Sequence, residues 1–172
     1  CLIHNADLLT KIYFPRVILP VSATLAGLLD FFIGSAVLVG IMVFYGILPR
    51  WHVVLWPLLS LPLLLLTLGV GMFLAALNVR YRDIRYAMPF VIQLWLFVTP
   101  VIYPASMVPA AYRLVLALNP LTGLIEAFRY AIIPDRVMDW SVLVVSGTAA
   151  ITIFALGLAY FRKTEKTFAD LV

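Results

Sequence analysis

The sequence predicts an all-α polytopic membrane protein with four membrane spans and two short re-entrant helices. Three observations lead there. Of its 172 residues, 65% are hydrophobic and only 12% charged, with a mean hydropathy of +1.10, whereas a soluble domain is about a quarter charged. The charges gather at the ends of long uncharged runs: Arg80, Arg82 and Arg85 crowd together, and no charged side chain follows from 86 to 112. Arginines lodge among headgroups and water, and the apolar run behind them belongs in hydrocarbon. Finally, Pro104, Pro109, Pro120 and Pro134 cut residues 104–139 into apolar pieces too short to cross.

Residues 1–16 mix polar and aromatic side chains, with Leu2, Leu8, Leu9, Ile12 and Tyr13 near helical spacing, so a short amphipathic helix at the interface is expected. Pro15 then bends the chain into the first span, 17–48, whose one charge is Asp30. Ser22, Ala23, Ala26, Gly27, Gly34 and Gly40 offer that span small surfaces for close helix contact. A polar turn at 49–52 leads to the second span, 53–77, where Pro57, Pro62, Gly69 and Gly71 are candidate bends. The basic loop at 80–85 precedes the third span, 87–103. Apolar pieces at 109–118 and 121–133 read as re-entrant or interfacial, and the last span is 140–161.

The cations orient the chain. Lys11, Arg16, Arg80, Arg82, Arg85, Arg162, Lys163 and Lys166 fall on one side of this four-span layout. Arg50, Arg113, Arg129 and Arg136 fall on the other, which accounts for all 12. The richer side is cytoplasmic, so both ends of the segment lie there. The net charge of +4 does not indicate nucleic acid, because the cations cap apolar runs and form no continuous basic face. The single cysteine, Cys1, rules out an internal disulfide and a multi-cysteine metal site. His4 and His52 have no acid or cysteine spaced to share a metal, and Ser60, Ser106 and Ser141 lack a nucleophile context, so neither a metal nor a catalytic residue is expected.

Three ordered phrases then carry a family likeness. NADLLTKIYFPRVILPVSATLAGLLDFFI at 5–33, LNVRYRDIRYAMPFVIQLWLFVTPVIYP at 77–104 and LALNPLTGLIEAFRYAII at 116–133 resemble the ABC-2 type permeases, in particular those exporting lipid-linked polysaccharides such as O-antigen, capsule or teichoic acid. The resemblance implies the C-terminal portion of a six-span subunit in the bacterial cytoplasmic membrane, working as a homodimer. It also implies a separate ATPase subunit that binds ATP and Mg. No phosphate-binding G-x-x-x-x-G-K-[ST] loop occurs here, in keeping with a transport subunit that is not itself an enzyme. By position, 5–16 would be the coupling helix and 104–133 the re-entrant pair. A drug- or lipid-exporting permease of the same class is the alternative.

Several residues are candidates for function. Tyr13, Phe14, Pro15 and Arg16 read alone as an interface anchor, and the resemblance makes them an ATPase contact together with Arg80 and Arg82. Asp83 is spaced to pair with Arg80 on a helix. Asp30 is either an intramembrane functional carboxylate or a group reaching the cytoplasmic headgroups. Glu126 and Arg129, at i and i+3, are expected to pair and so ease a helix into the membrane, with gating as the second possibility. Phe90, Trp95, Phe97 and Tyr103 bear rings on which sugars can stack, although packing or lipid contact uses such rings equally well.

Overall fold

The structure is a computed structural model that describes residues 17–47, 51–81 (Trp51 by its backbone alone), 83–103, 107–109, 116, 119–133 and 138–165. The expected helix at 1–16, with Tyr13, Phe14, Pro15 and Arg16, lies outside the described residues, as do Arg82 and most of 109–118. The described elements are α1 (Ile18–Phe44), a 3-10 turn (Trp51–Leu55), α2 (Trp56–Arg80), α3 (Ile84–Val98), α4 (Pro120–Ile132) and α5 (Trp140–Glu165). All-helical architecture is therefore observed, with no strand among the described residues. Three helices are long and apolar enough to cross a membrane: Ile18–Phe44, His52–Arg80 and Trp140–Glu165, with window hydropathies of 2.2, 2.3 and 2.2.

Local chemistry sets the ends, and in places it corrects the expected limits. α1 stops short of residue 48 because Gly46 takes φ 72°, a left-handed conformation open to glycine. Gly46 N–H then donates to Val43 O and Ile47 N–H to Met42 O, which satisfies two terminal carbonyls. α2 accepts Pro57 in its first turn and continues through Pro62, Gly69 and Gly71 to Arg80. α3 was expected to run to 103 but ends at Val98. Thr99 precedes Pro100, whose ring disfavours helical backbone at the residue before it, and Thr99 takes φ −88°, ψ 132°. α4 starts cleanly, with Pro120 at its first position and Asn119 Oδ1 accepting from Leu121 N–H. α5 opens on Asp139, whose Oδ1 accepts from Ser141 N–H and Ser141 Oγ–H, and runs to Glu165, past the expected 161.

The helices meet through small residues, though not the expected ones. Gly27, Gly34 and Gly40 of α1 have open space where a Cβ would stand. Gly27 instead borders an apolar groove of about 510 Å³ between α1 and α2, with Gly71 on the other wall. Close approach occurs between α2 and α5, where a Cβ on Gly69 would lie 2.6 Å from Phe154 Cα and one on Gly157 would strike the Gly69 carbonyl. Lipid tails are as apolar as leucine, so helix association here relies on backbone approach and close packing. Leu68, Met72, Ala76, Val79 and Phe161 fill one side of this seam with Leu19 of α1. Leu66, Ala150 and Leu124 of α4 form the second cluster.

Candidate functional site

α4 reaches far into the bundle. Leu124 is fully buried against Leu66 and Ala150. Each of those lies ten residues into its helix, α2 from Trp56 and α5 from Trp140, which at about 1.5 Å per residue is about 15 Å from the end. Beside them Gly123 sits against α5, where a Cβ would stand 2.6 Å from Val142 O, and its N–H donates to Ser146 Oγ at 3.2 Å. Phe128 packs edge-on against Phe31, deep in α1, at 5.4 Å and against Trp56 at 6.1 Å. Tyr130 and His52 are joined at 3.2 Å.

The chain leaving α3 arrives at the beginning of α4. Asn119 Nδ2 donates to Thr99 Oγ1 at 2.8 Å, and both residues are buried. Asn119 therefore links the two helices by its amide nitrogen and caps α4 by its amide oxygen. Arg129 and Glu126 pair as their spacing suggested, at 2.8 Å. The same guanidinium donates to Val101 O at 2.8 Å and to Tyr103 O at 3.3 Å. Tyr103 OH turns back to donate to Phe97 O at 3.1 Å. The last carbonyl of the penultimate α3 position and the carbonyls just beyond the helix are thus met by side chains. Asn119, Thr99, Ser146 and Gly123 escaped the sequence reading, since each is an ordinary polar or small residue until its distant partner is known.

Only α3 among the long elements turns no residue into the core. Phe90 is 71% exposed and Phe97 60%, one above the other on a face directed away from the bundle, while Trp95, on another face, is 40% exposed. At the other end of α3, Arg85 lies over the Tyr86 ring at 4.7 Å and donates to its hydroxyl at 2.6 Å. Arg80 lies over the Tyr81 ring at 5.7 Å. The expected Arg80–Asp83 pair is absent. α2 ends at Arg80 and Tyr81 is extended, at φ −127° and ψ 94°, so the helical i, i+3 relation is broken. Asp30 is exposed on α1, with no ion pair to a described residue.

Residues 7–133 match a family model described as ABC-2 type transporter. The chain is 33% identical over 168 residues to the O-antigen export system permease protein RfbA of Myxococcus xanthus, covering 96% of this chain and 65% of that protein. A protein of the same name from Klebsiella pneumoniae is 26% identical over 174 residues, covering 99% and 66%. The polysialic acid transport protein KpsM of Escherichia coli is 23% identical over 104 residues, covering 60% and 40%. The chain therefore spans about two thirds of the length of the first two relatives.

Proposed function

Because the chain belongs to the ABC-2 type transporter family, we propose that it forms the membrane-spanning part of an ATP-driven exporter moving lipid-linked polysaccharide across the bacterial cytoplasmic membrane. In this reading α3 is a fourth span and α4 a re-entrant helix. The observation that carries it is the depth at which they meet. α3 has 15 residues and rises about 22 Å, short of the roughly 30 Å of hydrocarbon. α4 begins at Asn119, bonded to the end of α3, and buries Leu124 at the level of Leu66 and Ala150. Non-helical backbone at such depth is tolerated only where protein or water satisfies it; Arg129 serves the Val101 and Tyr103 carbonyls, Tyr103 the Phe97 carbonyl and Asn119 the Leu121 amide.

The export role draws on the polysaccharide-transport relatives and on the free face of α3. In a homodimer two such faces would border one path, with Phe90 and Phe97 offering rings to passing sugars, while Trp95 on another face of α3 and Tyr103 beyond its end are the alternative stacking rings. ATP and Mg belong to a separate nucleotide-binding subunit on the cytoplasmic side. Residues 1–16, above all Tyr13, Phe14, Pro15 and Arg16, serve as the coupling element with Arg80 and Arg82, and both ends of the segment are cytoplasmic. Asp30 and Asp83 act as structural or gating charges. Motion at the coupling element would shift one dimer arrangement to another through contacts that differ between the two states.

The test is co-purification of the full-length permease with its cognate ATPase subunit, wild type beside Phe14→Ala with Arg16→Glu. Wild type should retain the ATPase, and the folded double variant should lose it. Undecaprenyl-linked glycan should stimulate hydrolysis by the wild-type complex. Stimulation by hydrophobic drugs alone would move the substrate to the alternative class, and no ATPase on the wild type would sink the exporter reading.

A further inference from the structure

Among the described residues, side chains of α4 hold α3 at its exit near Thr99 and not along its body. Its body has no buried residue, so little packing would resist a sideways swing. Its exit, in contrast, is gripped. Asn119 holds Thr99, and Arg129 holds the carbonyls of Val101 and Tyr103 while Glu126 steadies the guanidinium. The element providing those groups is itself immobilised: Thr122, Gly123, Leu124, Ala127 and Ala131 of α4 are buried, and Gly123 is bonded to Ser146 of α5. A forked guanidinium that bonds two carbonyls and a carboxylate at once resists rotation far better than one hydrogen bond. Pulling it away would leave the Val101 and Tyr103 carbonyls without these donors.

We propose that Arg129 is a positioning residue that pins the outer end of α3 to the α4–α5 body, so that α3 moves as a lever about that point with its free end at Ile84. The swing deepens the export reading given above and rests on it for its driving force, whereas the pin itself does not. The lever end carries Arg85 and Tyr86 next to the basic loop, so displacement of that loop would carry the Phe90 face further than Phe97, which lies close to the pivot. Glu126 holds the guanidinium, and Asn119 secures the residue where the chain leaves the helix.

The proposal is tested on the full-length permease with its ATPase subunit in lipid nanodiscs. Cys1 and any other native cysteine are replaced by serine, and one spin label is placed at either Ala87→Cys or Ile102→Cys, both exposed positions. With Arg129 present, trapping ATP should alter the mobility of the label at 87 and leave that at 102 unchanged. Arg129→Gln should speed the motion of the label at 102 about threefold or more without affecting 87 in the nucleotide-free complex, as expected when a local tether is lost. Arg129→Lys keeps the charge but not the fork, and should fall between the two. It also serves as the working variant if the glutamine form fails to fold. A label at 102 that responds to ATP as strongly as 87 in the wild type overturns the proposal, and so does one indifferent to both Arg129 substitutions. A label freed by Arg129→Gln in a complex where ATP moves neither site leaves the pin standing and overturns the lever swing, whereas the export reading fails only if the wild type binds no ATPase subunit.

Discussion

Gly69 and Gly71 lie two residues apart on α2 and ought to respond in opposite ways to the same methyl group. A Cβ on Gly69 would stand 2.6 Å from Phe154 Cα, 2.7 Å from its nitrogen and 2.8 Å from Ile153 carbonyl carbon, all backbone atoms of α5. Ordinary contact begins near 3.4 Å, so α2 and α5 would have to part by about 0.8 Å along a seam that includes Met72, Ala76 and Phe161. A backbone cannot step aside as a flexible side chain can. Overpacking of this kind costs about 1–3 kcal/mol. Gly71 has nothing within 4 Å of its Cβ position, so alanine there only gains helix propensity, up to about 1 kcal/mol. Both substitutions share the propensity gain, and their difference isolates the collision. Equilibrium unfolding in mixed dodecylmaltoside–dodecyl sulfate micelles, followed by helical circular dichroism, should place Gly69→Ala about 1–3 kcal/mol below Gly71→Ala. Agreement of the two within about 0.5 kcal/mol would refute glycine-mediated packing as the basis of the α2–α5 seam.

Two further expectations follow from the caps. Asn119→Ala should lower stability in the same assay by about 1–2 kcal/mol, since it removes both the α4 cap and the donor to Thr99; Asn119→Ser, which retains a cap, should recover roughly half. The hydrogen bond from the Ser141 hydroxyl holds the Asp139 carboxyl below the ordinary carboxylate range, helped by the backbone amides of Val142 and Ser141 and opposed by slight desolvation. A group whose pKa is depressed by folding contributes stability that is present above its unfolded pKa and lost as pH falls through the folded one. The protection factors of the first amides of α5, taken against the intrinsic exchange rate at each pH, should therefore be high at neutral pH and fall only below the usual carboxylate range, and Asp139→Asn should abolish that fall.

Charge-free runs and prolines made the spans legible, because hydrocarbon excludes charge wherever it occurs in a chain. The Glu126–Arg129 pair was legible for a similar reason, since its i, i+3 spacing is local. Pro100 carried a readable signal that α3 ends at Thr99, but hydropathy runs straight through it to Tyr103. The glycines were not legible. Gly27 and Gly157 are equally small residues in equally apolar helices, and only the partner's position decides which one is touched. Arg129 likewise meets carbonyls 26 and 28 residues away in sequence, a relation no periodicity encodes. The Arg80–Asp83 spacing misled because the i, i+3 rule holds only inside a helix, and the helix had just ended.

The shortness of α3 bears on energetics beyond the protein. On the proposed four-span reading, a helix of about 22 Å beside hydrocarbon of about 30 Å is a hydrophobic mismatch, which lipids meet by thinning and proteins by admitting water to the missing depth. On the same reading the chain beyond Val98 lies at the missing depth, its carbonyls met by Arg129, and Asn119 ties it to the start of α4. In the proposed exporter, a hydrated passenger moving alongside α3 would shed water over a dielectric barrier about a quarter thinner than the surrounding bilayer. Lengthening α3 by about a turn and a half in place of Thr99 and Pro100 would restore the full barrier height, whatever rings lined the way.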